Sequence, residues 1–512
     1  MILKKHKGSA IRCWAGRAAS QASLLLLAGC MVGPDFVPLD APAVSGYVRE
    51  TSLPPTSSAE THAGDAQAFR MGRDLPGDWW SIFRNRQIND FVAEAIQNHP
   101  DIAGAQAALR AARENVLAEQ GALFPQVSAS SSATRELVSP ASLGQTGSGS
   151  LFNLYNANVS VSYTLDVWGG TRRQVEALQA QADYQRFQLE ASYLSLTANV
   201  VTAAINDASL RAQIDATNDI IKSEQEQLTL VQRQFDLGAV ARSDVLSQQS
   251  TLAQTQSTLP PLEKQLAQQR NQLMAYLGRL PSQDRGEHVN LASLALPRNL
   301  PVSVPSALVR QRPDIASAEA SLHKATATVG VDIANMLPQV KLTGSYGGSS
   351  LTPDKLFSPS SAAWSAAGSV AQTVFDGGTL FHDKEAAIAL REQAFASYKS
   401  TVITAFQNVA DSLRAIQADA KTLKAQLAYE RSAQDSLTIA RSQYLSGAVT
   451  YPSVLTAQQN YQQAVIARVK AQAARFSDTA ALYQALGGGW WNRMDQTAQA
   501  FPRTQAGLFQ DH

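Results

Sequence analysis

The chain has 512 residues, 45% of them hydrophobic and 7% aromatic, with 43 Lys and Arg against 42 Asp and Glu and a formal net charge of +1. That balance excludes the concentrated basic face on which nucleic-acid binding depends, and two cysteines exclude a disulfide framework. Length alone predicts about two to four domains, but Ala, Gln and Ser supply much of the remainder, which points to long, closely packed helices and not to one large globular core.

The first 29 residues carry Lys4, Lys5, Lys7, Arg12 and Arg17 with no acidic residue, and "ASLLLLAGC" follows at Ala22 to Cys30. A basic start, a short apolar run and small residues at the cut predict a secretory signal peptide over 1–29. The run is too short to cross a hydrocarbon core of ~30 Å, which takes about 20 apolar residues. Its removal takes away five cations and Cys13, leaving a mature net charge of about −4 and a single cysteine, Cys30. Leu27-Ala28-Gly29-Cys30 resembles the lipobox of bacterial lipoproteins, which implies lipid on the Cys30 thiol and acylation of the freed amine. A plain signal peptide with an incidental cysteine, or a free core cysteine, is the alternative.

Residues 30–77 are rich in Pro, Ser, Thr and Gly and read as an extended tether, with order beginning near Asp78-Trp79-Trp80. An internal duplication follows. "HPDIAGAQAALRAARENVLAEQGALFPQV" from His99 aligns without gaps on "RPDIASAEASLHKATATVGVDIANMLPQV" from Arg312, at an offset of 213. "LGAVARSDVL" from Leu237 pairs with "SGAVTYPSVL" from Ser446 at an offset of 209. Two repeats are therefore expected, over 78–290 and 291–491, with a flexible tail at 492–512.

Each repeat inserts two strand candidates, as hairpins at about 126–166 and 339–375. "ANVSVSYTL" puts Val159, Val161, Tyr163 and Leu165 on one face and Asn158, Ser160, Ser162 and Thr164 on the other, a clean period of two. "VKLTGSY" alternates likewise, "WSAAGSVAQTVF" less cleanly with Gln372 out of phase, and "QVSASSSAT" more weakly. Strands of about 9–11 residues, apolar on one face and polar on the other, suit a transmembrane barrel with lipid outside and water inside. A small soluble sheet is the alternative.

Long helical hairpins complete the repeats, at 171–278 and 379–486. Thr171 to Leu237 runs 67 residues and Thr379 to Ser446 runs 68 without one Gly or Pro, so each can extend for roughly 100 Å as one helix. Each ends at a glycine, Gly238 or Gly447, which supplies a left-handed cap before the return helix. Pro260-Pro261 is expected to interrupt and kink the first return helix. A soluble coiled coil is the alternative, although strict heptads are not sustained.

Four strands cannot close a membrane barrel, and an open edge in lipid leaves backbone groups unpaired. Strands that span a membrane here must be pooled between copies. Three copies give twelve, an even number in the known range, and gather the long helices into a tube lined by uncharged polar side chains, of which the ten Gln of the first long stretch are an instance.

"DWWSIFRNRQINDFVAEAIQNHPDI", "RQRPDIASAEASL", "FDGG" and "ALGGGWW", in that order, together with the lipobox, resemble TolC-like outer-membrane efflux proteins, in particular the NodT lipoprotein branch. The resemblance spans Cys30 to about Trp491. It implies a mainly α chain with a membrane β part, assembled as a homotrimer: a twelve-stranded outer-membrane barrel on a long periplasmic α-helical barrel. Its implied partners are a periplasmic adaptor, an inner-membrane transporter of resistance-nodulation-division or major-facilitator type, and outer-membrane lipid. It implies a passive duct for drugs or other small molecules, with adaptor contact or gating at the hairpin ends, where Gly238, Arg242, Asp244, Arg441 and Gly447 lie. Thr456 stands where relatives often carry an acidic pore residue.

No catalytic constellation is present in the sequence: the seven His are scattered, no nucleophile elbow occurs, and "GQTGSGS" lacks the Lys and Ser/Thr that finish a phosphate loop. A non-enzyme without cofactor, apart from lipid on Cys30, is expected. A duct for type I protein secretion and a lipid-anchored coiled-coil scaffold without a pore are the competing functions.

Overall fold

The computed structural model describes residues 31–50, 53–144 and 146–493; the expected signal peptide, Cys30 and the tail beyond Arg493 lie outside the described residues. The helices are α1 (Arg86–Asn98), α2 (Pro100–Gln120), α3 (Gly170–Asp236), α4 (Arg242–Tyr276), α5 (Pro305–Gln311), α6 (Pro313–Asn335), α7 (Thr379–Leu445) and α8 (Tyr451–Ala485). The strands are β1 (Ala68–Met71), β2 (Gln126–Val138), β3 (Ser150–Leu165), β4 (Asn299–Val302), β5 (Gln339–Ser350) and β6 (Ala362–Ala371). The order helix, helix, strand, strand, long helix, return helix thus occurs twice.

One compact unit comprises residues 31–38, 108–185 and 318–398. Its sheet has the order β2-β3-β5-β6, antiparallel throughout. Directly paired residues share a face, so register sorts the side chains. One face carries Val127, Val159, Val161, Tyr163, Leu342, Tyr346, Trp364 and Val370; the other carries Ser128, Ser130, Asn158, Ser160, Thr164, Thr343, Ser345 and Ser365. The strands extend further than the alternation predicts. Backbone pairing continues where the side-chain pattern fades, and serine-rich β2 still makes a 13-residue strand. β6 stops at Ala371, one residue before the out-of-phase Gln372.

Both long helices begin on the same device, an aspartate followed by glycines. Asp166 accepts from the Thr171 and Arg172 amides at 3.0 and 3.1 Å and pairs with the Arg172 guanidinium at 3.0 Å. Asp376 accepts from the Leu380 and Gly378 amides, each at 2.9 Å, and those backbone donors hold its carboxyl below the usual range. Carboxylates there satisfy first-turn donors and complement the positive helix end.

The second unit comprises residues 39–107, 186–317 and 399–493. Trp79, fully buried, stacks on Tyr483 at 5.7 Å between ring centroids. Arg475, only 1% exposed, donates to the backbone carbonyls of Ala63 and Asp65 and to Gln67 Oε1, while Gln67 Nε2 donates to Thr479 Oγ1 at 3.2 Å. β1 pairs in parallel with β4. Order therefore begins well before Asp78: the Pro-rich segment is extended, as its composition predicts, but it is hydrogen-bonded to the body. Its partners lie hundreds of residues away, out of reach of a local reading.

The prolines of the first return helix bring a second correction. α4 continues through Pro260 and Pro261 without a break. Each proline deletes one backbone donor and so frees the carbonyl four residues before it, that of Gln256 or Ser257, yet the helix runs on over Arg242–Tyr276 and is not interrupted.

Candidate functional site

The two helical hairpins turn in the same way. At the first, the Ala239 amide donates to the Gln234 carbonyl at 2.8 Å and Gly238 sits at φ +74°. At the second, the Ala448 amide donates to the Gln443 carbonyl at 2.9 Å and Gly447 sits at φ +76°. This is the six-to-one closure that a left-handed glycine permits. A Cβ placed on either glycine meets nothing within 4 Å. The conformation, and not crowding, requires glycine. Beside these turns Leu237 and Leu445 are 84% and 73% exposed.

Behind the turns the hairpins are joined by an apolar cluster of Val231, Val245, Leu437, Tyr451, Val454 and Leu455. The rings of Tyr444 and Tyr451 approach to 5.1 Å. Burial, with smaller effects from neighbours including Asp244, pushes the Tyr451 hydroxyl up to about 12; burial and the Asp244 charge also raise Tyr444. Both phenols stay protonated at any ordinary pH, and the buried Tyr444 hydroxyl has no hydrogen-bond partner. Tyr451 Oη donates to Gln248 Oε1 at 2.7 Å, and Gln248 Nε2 donates to the Glu224 carbonyl at 3.0 Å. Thr255 Oγ1, at 3.0 Å, and Gln462 Nε2 both donate to the Glu224 carboxyl. Burial raises the Glu224 pKa, against the donors Gln462, Thr255 and Gln458, which lower it. This polar chain links α3, α4 and α8, three of the four hairpin helices.

The sequence-predicted tip residues are distributed around this cluster. Asp244 opens the first turn of α4 close enough to Tyr444 and Tyr451 to act on both. Arg441 lies on α7 within electrostatic reach of Tyr451, and Arg242 is exposed at the start of α4. These three form no ion pair with one another among the described residues. Thr456 is exposed and donates back to the Pro452 carbonyl at 3.0 Å. Sequence reasoning missed Glu224, Gln248, Gln462, Tyr444 and Tyr451; the only advance signal was the density of Gln in the long helices.

On the polar face of the sheet, Ser128 and Ser160 share a hydrogen bond of 2.8 Å, as do Ser345 and Ser365, and Ser130 donates to Asn158. Val159 and Val161 on the opposite face are 48% and 39% exposed, and Tyr163 and Leu165 share that face. Beyond the end of β3 the segment from Val32 to Phe36 is clamped. The Val32 amide donates to the Trp168 carbonyl at 3.0 Å. Arg173, 1% exposed, donates to the Val32 carbonyl and to the carboxylates of Asp35 and Glu176. Glu176 also meets His323, whose ring stacks on Phe36 at 4.3 Å. No cluster of three or more metal-binding side chains occurs among the described residues.

The family model described as "Outer membrane efflux protein" matches residues 91–279 and 304–488, well over half the chain. The antibiotic efflux pump outer membrane protein ArpC of Pseudomonas putida is 28% identical over 479 residues, covering 93% of this chain and 95% of that one. Nodulation protein T of Rhizobium leguminosarum bv. viciae is 27% identical over 489 residues, 93% and 94% of the two chains. Among solved structures, the outer-membrane channel OprN superposes with a TM-score of 0.81 at 25% identity, covering 90% of this chain and all of that one.

Proposed function

The chain belongs to the outer membrane efflux protein family, and from that premise we propose that it is the outer-membrane duct of a tripartite efflux pump. It acts as a homotrimer of the NodT lipoprotein branch, with a signal peptide over 1–29, repeats over 78–290 and 291–491, and acyl chains on Cys30. Most of the chain lies in the periplasm. A periplasmic adaptor docks at the hairpin ends, and an inner-membrane transporter of resistance-nodulation-division or major-facilitator type supplies energy and substrate choice.

One observation carries this reading: the four-stranded sheet has one apolar and one hydroxyl-rich face, with β2 and β6 each leaving an edge unpaired within the chain. In hydrocarbon such edges are tolerable only when closed. Three copies pair β6 of one with β2 of the next, giving twelve strands with Val159, Val161, Tyr163 and Leu165 toward lipid. The clamp at Val32 and Asp35 supports the lipid anchor, because it holds the chain two residues after Cys30 beside the end of β3.

Planar-bilayer recording of the purified trimer, paired with drug susceptibility of a deletion strain, tests the proposal. Stable conductance with hypersensitivity on deletion is expected. A trimer that carries no current sinks the duct and favours the coiled-coil scaffold. Conductance with unchanged susceptibility and loss of a secreted protein assigns the duct to type I secretion instead.

A further inference from the structure

The four barrel strands carry three charged side chains, Arg135, Glu136 and Lys341. Register gives each a face. Arg135 pairs with Asn153, in the phase of Ala133 and Tyr155 on the apolar face. Glu136 pairs with Phe152 and Lys341 pairs with both Thr164 and Ser369, in the phase of Ser128, Ser160 and Ser345. Lys341 therefore shares the hydroxyl-lined face, at the end of the sheet next to α3 and α6.

We infer that three Lys341 side chains, one per copy, form a cationic ring inside the helix-side end of the barrel lumen and make the pore favour anions there. This rests on the trimeric-barrel reading above. On the described strands no carboxylate lies beside Lys341; Glu119, at the end of α2, lines a cavity with Thr164 and Gln339. Lys341 is exposed and forms no ion pair among the described residues. The carboxylate nearest along β3, Asp166, is engaged by Arg172 and the first amides of α3. Glu136 lies twelve residues further along the sheet, or about 40 Å, against a screening length of about 8 Å in physiological salt. From Thr164 to Asn156 that face carries Ser, Thr, Asn, Ala and Gly on β3, β5 and β6, with Gln126 on β2, so among the described strand residues the lysines are the fixed charge of that face at this level.

Twelve tilted strands hold these ammonium groups roughly 10 Å from the axis. Three unit charges at that distance, screened, bias the local anion-to-cation ratio by about threefold. The test uses full-length acylated protein in planar bilayers under a potassium chloride gradient. Lys341→Gln is expected to shift the reversal potential toward cations, lowering the permeability ratio about threefold, and Lys341→Glu to shift it further the same way. A conducting Lys341→Gln channel with wild-type reversal potential overturns the ring and leaves the barrel intact; should the glutamate variant fail to assemble, the glutamine variant alone decides. A wild-type protein that carries no current overturns the barrel reading, and the ring with it.

Discussion

Gly33 lies against Gly330 so closely that a Cβ on Gly33 would stand 2.5 Å from the Gly330 Cα, and Gly33 itself sits at φ +90°. Two residues 297 positions apart thus fix how the segment around Gly33 lies on α6. A Cβ on Gly330 would in turn stand 2.9 Å from the Arg173 side chain, so steric fit and the buried guanidinium act on one small site.

Arg173→Met removes the charge that bonds Val32, Asp35 and Glu176. Asp35 is largely exposed and can turn to water, so the expected cost is modest, about 1–3 kcal/mol, and local to residues 31–38. Limited proteolysis of the trimer should show faster cleavage before Asp40, with the barrel unchanged. Equal protection in variant and wild type would mean that the stacking of Phe36 on His323 suffices.

Val161→Arg and Ser160→Arg compare adjacent positions on opposite faces of β3. On the proposed barrel the first sets a charge in lipid, at roughly 2–4 kcal/mol near the midplane, and should deplete heat-resistant trimer in outer-membrane fractions. The second faces water and should leave assembly intact while changing conductance. Equal depletion by both would overturn the assignment of faces.

The fold was legible where side chains repeat and illegible where partners are distant. Thr171 to Leu237 reads as one helix because nothing breaks it, and Val159 to Leu165 reads as a strand because it alternates. β1 is four residues with no period of its own, fixed by its pairing with Asn299–Val302. The hairpin turns were legible from Gly238 and Gly447, whereas Glu224 was not: its neighbours Thr255, Gln458 and Gln462 come from two other helices, and no spacing in one helix reveals a carboxyl buried among them.

Asp419 and Asp478 meet between α7 and α8, and Asp419 Oδ2 is buried with no donor. Burial first, then the Asp478 carboxyl, pushes Asp419 up to about 7 from an ordinary 3.8. Between about pH 4 and 7 the unfolded chain gives up this proton while the folded one keeps it, so stability falls as pH rises through that window and is level above it. Asp419→Asn supplies a permanent donor to Asp478. The variant should melt higher than wild type at pH 8 and show a flatter melting temperature between pH 4 and 7. Parallel curves for the two proteins would show that the pair does not share a proton.

The hairpin ends allow capping and docking to be separated. Alanine at Gly238 or Gly447 must adopt a left-handed backbone, costing about 1–2 kcal/mol, so its effect on docking would be mixed with strain. Asparagine tolerates that conformation, and a Cβ there meets nothing within 4 Å in its own chain. Gly238→Asn with Gly447→Asn should therefore leave trimer stability near wild type. If an adaptor approaches these turns closely, drawn to the exposed Leu237 and Leu445, the double variant should lose adaptor cross-linking and raise drug susceptibility while remaining trimeric. Intact trimers with unchanged cross-linking and resistance would reduce the glycines to caps and move the docking surface away from the turns. Leu237→Ser with Leu445→Ser then tests the apolar part alone, because both side chains are outside the buried cluster of Val231, Tyr451 and Val454 and their loss costs the folded chain little.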